Sequence, residues 1–89
     1  MRKIILRKKF EKEYILAIKR GKNIQKLKDI IVILERNEKL PAKYKDHALS
    51  GEFKGSRDLH IESDWILIYR VENNNIILER TGTHSDIFR

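Results

Sequence analysis

The sequence predicts an α+β domain of two layers: one N-terminal strand, two antiparallel helices, then an antiparallel sheet of three or four strands. Three observations lead there. Apolar residues recur at helical spacing between Phe10 and Leu34. After the single proline, Pro41, the pattern changes to alternating and then nearly continuous apolar runs bounded by polar residues. The chain has 89 residues, enough for one layer of helix against one sheet but not for a deep substrate cavity. No internal repeat, low-complexity tract or linker divides it, so residues 1–89 read as one domain.

The elements follow in order. Residues 2–6 read as a short strand. From Lys8 to Arg20, Phe10, Tyr14, Ala17 and Ile18 share one helical face. Gly21 suits the left-handed residue that ends a helix, and Asn23 suits the cap of the next. Ile24, Leu27, Ile30, Ile31 and Leu34 continue at helical spacing, and Val32 and Ile33 widen the stripe. The short link between the helices makes them antiparallel neighbours. Pro41 prevents simple continuation. Residues 42–50 read as polar loop, and Gly51 and Gly55 bracket a short strand or turn. In 57–62, Asp58, His60 and Glu62 alternate with Leu59 and Ile61. Trp65 to Val71 is a central strand, Glu72-Asn73-Asn74-Asn75 a hairpin turn, Ile76 to Thr81 the returning strand and Thr83 to Arg89 a tail.

The charge is divided unevenly. The formal net charge is +7, and the sequence pI is about 9.8. Residues 1–45 hold 15 Lys/Arg against 5 Asp/Glu, whereas residues 46–89 hold 5 against 8. A basic half of this kind is the footprint of a polyanion partner, although a lysine-rich solvated face gives the same count. The apolar run in Ile4-Ile5-Leu6 is far too short for a signal-peptide core or a membrane span. The basic helices offer no apolar stripe beyond what a core needs, so no membrane surface is expected either. With no cysteine, a disulfide framework and thiolate metal sites are excluded. The protein is expected to be soluble, unexported and cytoplasmic.

Three histidines stand in polar segments beside strand-like runs: His47, His60 and His84. Imidazole is the side chain whose ordinary titration lies closest to neutrality. If the hairpin turn centres on Asn74, Asp64 and Trp65 approach Arg80 across the ladder. His84 follows Arg80 by four residues through Gly82, and His60 shares a strand face with Asp58 and Glu62. Arg80, His84, Asp64 and His60 can thus gather at one end of a sheet, provided the register holds, since a slip of one residue flips every side chain. Such a group suits RNA cleavage by internal transfer. A base takes the 2′-hydroxyl proton, the oxygen attacks phosphorus, an acid protonates the departing 5′-oxygen, and a cation steadies the phosphorane. No metal or cofactor is needed, and the histidine spacings lack the tight pairs of a metal site.

Each residue also has an ordinary role open to it. His47 and His60 can be surface residues, Asp64 a turn former, Trp65 a core residue, Arg80 one half of a surface ion pair with Glu79, and Phe88 a plug for the tail. A non-catalytic basic module that docks on RNA or the ribosome is the alternative reading, as is a protein that only titrates a partner.

Three segments carry a family resemblance: Tyr44-Lys45-Asp46-His47-Ala48-Leu49, Arg57-Asp58-Leu59-His60 through Asp64-Trp65-Ile66-Leu67-Ile68-Tyr69, and Glu79-Arg80-Thr81-Gly82-Thr83-His84-Ser85 to Phe88. With their spacing, and over nearly the whole chain, they resemble the YafQ branch of the RelE toxin superfamily. The resemblance implies a RelE-like fold and a ribosome-dependent messenger-RNA endonuclease that cuts in the decoding A site against ribosomal RNA. It also implies a cognate antitoxin as protein partner. The matched active-site positions are His47, His60, Asp64, Arg80, His84 and Phe88. His84 is the leading general acid, His60 or Asp64 the base, and His47 a helper at phosphate or proton. Arg80 holds the scissile phosphate. Phe88 shapes the site, and Trp65, Lys45 and Arg57 are expected substrate contacts. The family often has proline where this chain has Ala48 and Ser63; neither change removes a reacting group.

Overall fold

The computed structural model describes residues 1–88; the end of the tail, Arg89, lies outside the described residues. The elements run β1 (Lys3–Leu6), α1 (Lys8–Lys19), α2 (Ile24–Glu35), β2 (His47–Ala48), β3 (Arg57–Glu62), β4 (Trp65–Glu72), β5 (Asn75–Gly82) and α3 (His84–Ile87). The first strand and both long helices fall within a residue of the bounds read from periodicity. Gly21 is in the left-handed region at φ 78°, and Asn23 accepts a bond from the Gln25 N–H, as the helix punctuation required. Segment 42–50, read as loop, holds a 3₁₀ turn over Ala42–Tyr44 and the two-residue β2. Gly51–Phe53 is a second 3₁₀ turn. The tail is not extended: it forms α3, closed by a reciprocal cap between Thr83 and Asp86.

All five strands form one sheet in the order β1-β5-β4-β3-β2. The four strands after the helices are antiparallel neighbours, and β1 lies parallel to β5 at the edge. Asn73 and Asn74, both at positive φ, make the two-residue hairpin turn, and Glu72 pairs with Asn75. Tyr69 pairs with Leu78, but Ile68 pairs with Arg80, so Glu79 is an extra, bulged residue. That bulge turns Arg80 onto the face that β4 covers with Ile66 and Ile68.

The two faces differ. Helices α1 and α2 cover one: Phe10, Ala17, Leu27, Ile30 and Leu34 pack against Leu59, Ile61, Trp65, Leu67, Tyr69, Ile76 and Leu78. This is the hydrophobic core of the molecule. The other face is mostly open. Its small cluster joins Ile66, Ile68 and Ile87, with Leu49 and Phe53 packed beside them. The histidines stand around this second cluster, so α3 and the loop before β3 wall the site.

Trp65, expected among the substrate contacts, is a core residue. It is 1% exposed, and its Nε1–H donates to Thr81 Oγ1 at 2.9 Å. Thr81 Oγ1 in turn donates to the Ile66 carbonyl at 2.9 Å. As the first residue of β4, Trp65 pairs with Glu62 of β3, and alternation points its ring toward the helices. The indole therefore anchors the strand behind the site and has no free face for a base.

Candidate active site

The centre of the site is His84, the first residue of α3. Its Nδ1 lies 2.7 Å from Asp64 Oδ1, and its backbone N–H donates to the same oxygen at 3.1 Å. Asp64 sits in the two-residue turn between β3 and β4, so a short loop and a capped helix start hold the pair. The His84 ring first, and its N–H second, hold the Asp64 carboxyl below the usual carboxylate range. With Nδ1 against a carboxylate, Nε2 is the His84 ring nitrogen without a hydrogen bond to protein among the described residues. The His60 ring on β3 stands edge-to-face with His84, centroids 5.3 Å apart. Phe88 tilts against the far side of His84 at 6.3 Å and meets Phe53 edge-on at 5.5 Å. His60, His84, Phe88 and Phe53 form one aromatic row.

Arg80 lies on the same face but is partly engaged. Its Nε and Nη2 each donate to Glu13 of α1 at 2.9 Å, and Glu13 also accepts from the Thr81 N–H at 3.2 Å. β1 pairs with β5 only as far as Leu78, and the Glu13 carboxylate takes up the unpaired edge beyond it. Glu13 strengthens the hold of Arg80 on its proton, so the guanidinium stays charged. Nη2 also reaches the Asp86 carbonyl at 3.5 Å, and Nη1 makes no hydrogen bond with protein among the described residues.

His47 stands in β2, directly opposite Asp58 of β3. Its Nδ1 is 2.9 Å from the Lys45 carbonyl and 3.0 Å from Asp58 Oδ1. Behind it, Arg57 donates from Nε and Nη2 to Asp46, and the Tyr69 hydroxyl donates to the same carboxylate. Burial, and then the bond to Asp46, push the Tyr69 hydroxyl well above its usual range, so it remains a donor. Arg57, an expected substrate contact, is thus largely occupied in fastening the His47 loop. Lys45 is exposed, in a left-handed conformation at φ 51°, on the rim of the site.

Two grooves flank the aromatic row. One, of about 490 Å³, is lined by Lys26, Tyr44, Lys45, His60 and Ser63. The other, of about 740 Å³, is lined by Lys9, Ser50, Phe53, Arg80 and Phe88. Both are open, and each carries charges of both signs: Glu52 and Asp86 also line the second, Asp29 and Glu62 the first. The structure thus brings His60, Asp64, His84 and Phe88 into direct contact, sets Arg80 beside Phe88, and places His47 farther along β3. Glu13, Asp58, Asp86 and Phe53 were missed by the sequence reading. For Asp58 a signal existed, since it alternates with His60 on one strand face. Glu13 offered none, because its partner is 67 residues away.

Asp86 ties α3 to the scaffold. Its Oδ2 accepts from Arg20 at 2.8 Å and from the Thr83 N–H at 2.9 Å. The Arg20 bond, with Thr83 second, lowers this carboxyl to about 2. Gly82 packs closely here: a Cβ there would sit 3.0 Å from Asp86 Oδ2, so a larger residue would push on that side chain. Among the described residues, no group of three His, Cys, Asp or Glu is arranged to hold a metal ion. No helix of the described residues is long and apolar enough to cross a membrane.

Comparison with known proteins agrees with this architecture. The model of a family described as the bacterial toxin of a type II toxin–antitoxin system, YafQ, matches residues 2–89. The chain is similar to the mRNA interferase toxin YafQ of Escherichia coli K12, with 49% identity over 80 residues, 89% of this chain and 87% of that protein. The crystal structure of YafQ from E. coli BL21(DE3) superposes with a TM-score of 0.95, 44% identity and full coverage of both chains. YafQ in the E. coli DinJ–YafQ complex gives 0.93 at 46% identity, again over all of both chains. A metal-bound toxin from Helicobacter pylori gives 0.92 at 34% identity, covering 99% of this chain and 100% of that one.

Proposed function

This chain belongs to the YafQ family of bacterial toxins from type II toxin–antitoxin systems, and on that premise we propose that it is a ribosome-dependent endoribonuclease that cuts messenger RNA in the A site. The observation that carries the reading is the contact of His84 with both Asp64 and His60, between two open grooves. A single strand laid across the row enters past Lys45 and leaves past Arg80, with one phosphodiester over the imidazoles.

The reaction is internal transfer. A histidine base takes the proton of the ribose 2′-hydroxyl, and the oxygen attacks the adjacent phosphorus. Nε2 of protonated His84 gives its proton to the departing 5′-oxygen, while Asp64 stabilises the imidazolium through Nδ1. Arg80 presents Nη1 to the non-bridging oxygens as charge builds. The products are a 2′,3′-cyclic phosphate and a free 5′-hydroxyl. The base is His60 or His47, and Asp64 serves as the orienting carboxylate of His84. Every step uses a protein side chain, and none calls for a metal ion.

The shallow site supports ribosome dependence, because the described residues do not enclose a substrate strand. Lys8, Lys9, Lys12, Lys19, Lys26 and Lys28 are exposed on the two helices and supply salt-sensitive attraction to ribosomal RNA. This activity places the protein in the cytoplasm. A cognate antitoxin is its protein partner, as DinJ is for the E. coli relative. An apolar groove between β1, α1 and α2, lined by Ile4, Leu6, Phe10, Tyr14, Ile15 and Ile31, suits an amphipathic segment of that antitoxin. The test is mapped cleavage of messenger by wild type and His84→Ala, with and without translating ribosomes. Cleavage by wild type on ribosomes alone, lost in His84→Ala, is the expected result. Equal cleavage of naked RNA refutes ribosome dependence, and cleavage that survives His84→Ala refutes the assignment of the acid.

A further inference from the structure

The mechanism above leaves one buried carboxyl group unused. Asp58 is 3% exposed and lies on β3 with the fully buried Ile68 as its neighbour across the ladder. No hydrogen bond of good geometry reaches its Oδ1 among the described residues. A carboxylate shut away from water is costly unless a donor faces it. The group that faces it is His47 Nδ1, at 3.0 Å. The nearby Asp46 is not a rival for that histidine, since Arg57 and Tyr69 already occupy it.

His47 Nδ1 touches two atoms, the Lys45 carbonyl oxygen and Asp58 Oδ1, and both are acceptors. The nitrogen that meets two acceptors carries the proton. The neutral ring is therefore the Nδ1–H tautomer, and its lone pair is on Nε2, at the exposed end of a side chain that is 55% accessible. The shared proton points best at Lys45, which explains why Asp58 Oδ1 is close to the ring yet lacks a well-aligned bond. When His47 gains a second proton on Nε2, the positive ring faces Asp58 at the same distance, and the buried carboxylate acquires its counter-charge.

We propose that His47 is the general base of the reaction and that Asp58 is its positioning residue, holding the ring with Nε2 outward and stabilising the imidazolium formed when the 2′-hydroxyl proton arrives. The proposal rests on the nuclease reading and divides its labour. Two carboxylate–imidazole pairs, Asp58 with His47 and Asp64 with His84, stand on either side of His60. One pair takes a proton and the other gives one. His60, between them, faces the phosphate. The proton balance closes: Nε2 of His47 ends protonated, Nε2 of His84 ends deprotonated, and water exchange resets both.

Two measurements test it. The first is a double-mutant cycle on translating ribosomes with His47→Ala, Asp58→Asn and the pair. His47→Ala is expected to lower kcat by about 10²-fold or more. Asp58→Asn is expected to lower it by roughly ten- to hundredfold, with KM changed by less than about twofold, because it acts through the base and not on binding. The double variant is expected to match His47→Ala alone. Additive losses overturn the proposal, as does a loss confined to KM. The second uses the free protein and no RNA: nitrogen-15 spectra of the His47 ring at about pH 8.5, where imidazole is neutral. The Nδ1–H tautomer is expected. The Nε2–H tautomer overturns the proposal even if the protein proves to be a nuclease by another base, and it decides the matter should Asp58→Asn fail to fold. The Nδ1–H tautomer in a protein that cuts no RNA refutes the nuclease reading while leaving the geometry of the pair standing.

Discussion

Replacing Glu13 by alanine tests the link between the helical layer and the site. The Glu13 and Arg80 side chains are each 15% exposed, and two bonds of 2.9 Å join them. The substitution strips Arg80 of both bonds and leaves the Thr81 N–H without its acceptor. Removing one partner of a fully buried pair costs about 3–5 kcal/mol, and the residual access of water to this guanidinium brings the expected loss to about 2–3 kcal/mol. In a domain of this size that corresponds to a fall in Tm of about 10–20 °C. Thermal unfolding followed by circular dichroism reads it directly, and Glu13→Gln, which keeps an acceptor but no charge, is expected to fall between wild type and Glu13→Ala. Cleavage on ribosomes is expected to slow below the melting range, because Arg80 is no longer aimed along the groove. A Tm within about 3 °C of wild type refutes the reasoning. It would mean that the pair is a surface contact and that Arg80 is placed by the bulge alone.

Further predictions follow from the same geometry. Asp86 has its folded carboxyl lowered to about 2 from the 3.8 of a free aspartate, so its contribution is complete above the unfolded value and is lost as pH falls through the folded one. Amide exchange of residues 85–87, corrected for intrinsic rate, is therefore expected to accelerate as pH drops from about 4 toward 2, and Asp86→Asn to weaken that pH dependence, while residue 84, whose N–H donates to Asp64, keeps its own. Trp65→Phe loses the bond to Thr81 and leaves a small void, and is expected to cost about 1–3 kcal/mol by denaturant unfolding with cleavage of the folded protein little changed. A large loss of cleavage at unchanged stability would restore Trp65 as a substrate contact. Ile15 is 53% exposed on the apolar groove, and Ile15→Asp is expected to weaken antitoxin binding by calorimetry while sparing cleavage. Undiminished binding would move the antitoxin elsewhere.

The chain itself announces the layers and their order. Helical spacing from Phe10 to Leu34, a left-handed Gly21, a capping Asn23 and the break at Pro41 are local properties, and local periodicity is what decides which face of an element is buried. The candidate residues were visible for a related reason, since histidines in polar segments at set spacings can be read without coordinates. The placement of Arg80 was not legible: the sequence reading brings Asp64 and Trp65 to Arg80 across the ladder, whereas the register sets Arg80 opposite Ile68, because the turn centres between Asn73 and Asn74 and Glu79 is bulged. Which carboxylate meets which cation was decided by the tertiary structure alone. Glu13 reaches Arg80 across 67 residues, Arg20 reaches Asp86 across 66, and Trp65 turned inward to the core. Ion pairs depend on separations of a few ångströms, and a one-residue shift of register exchanges the two faces of a strand.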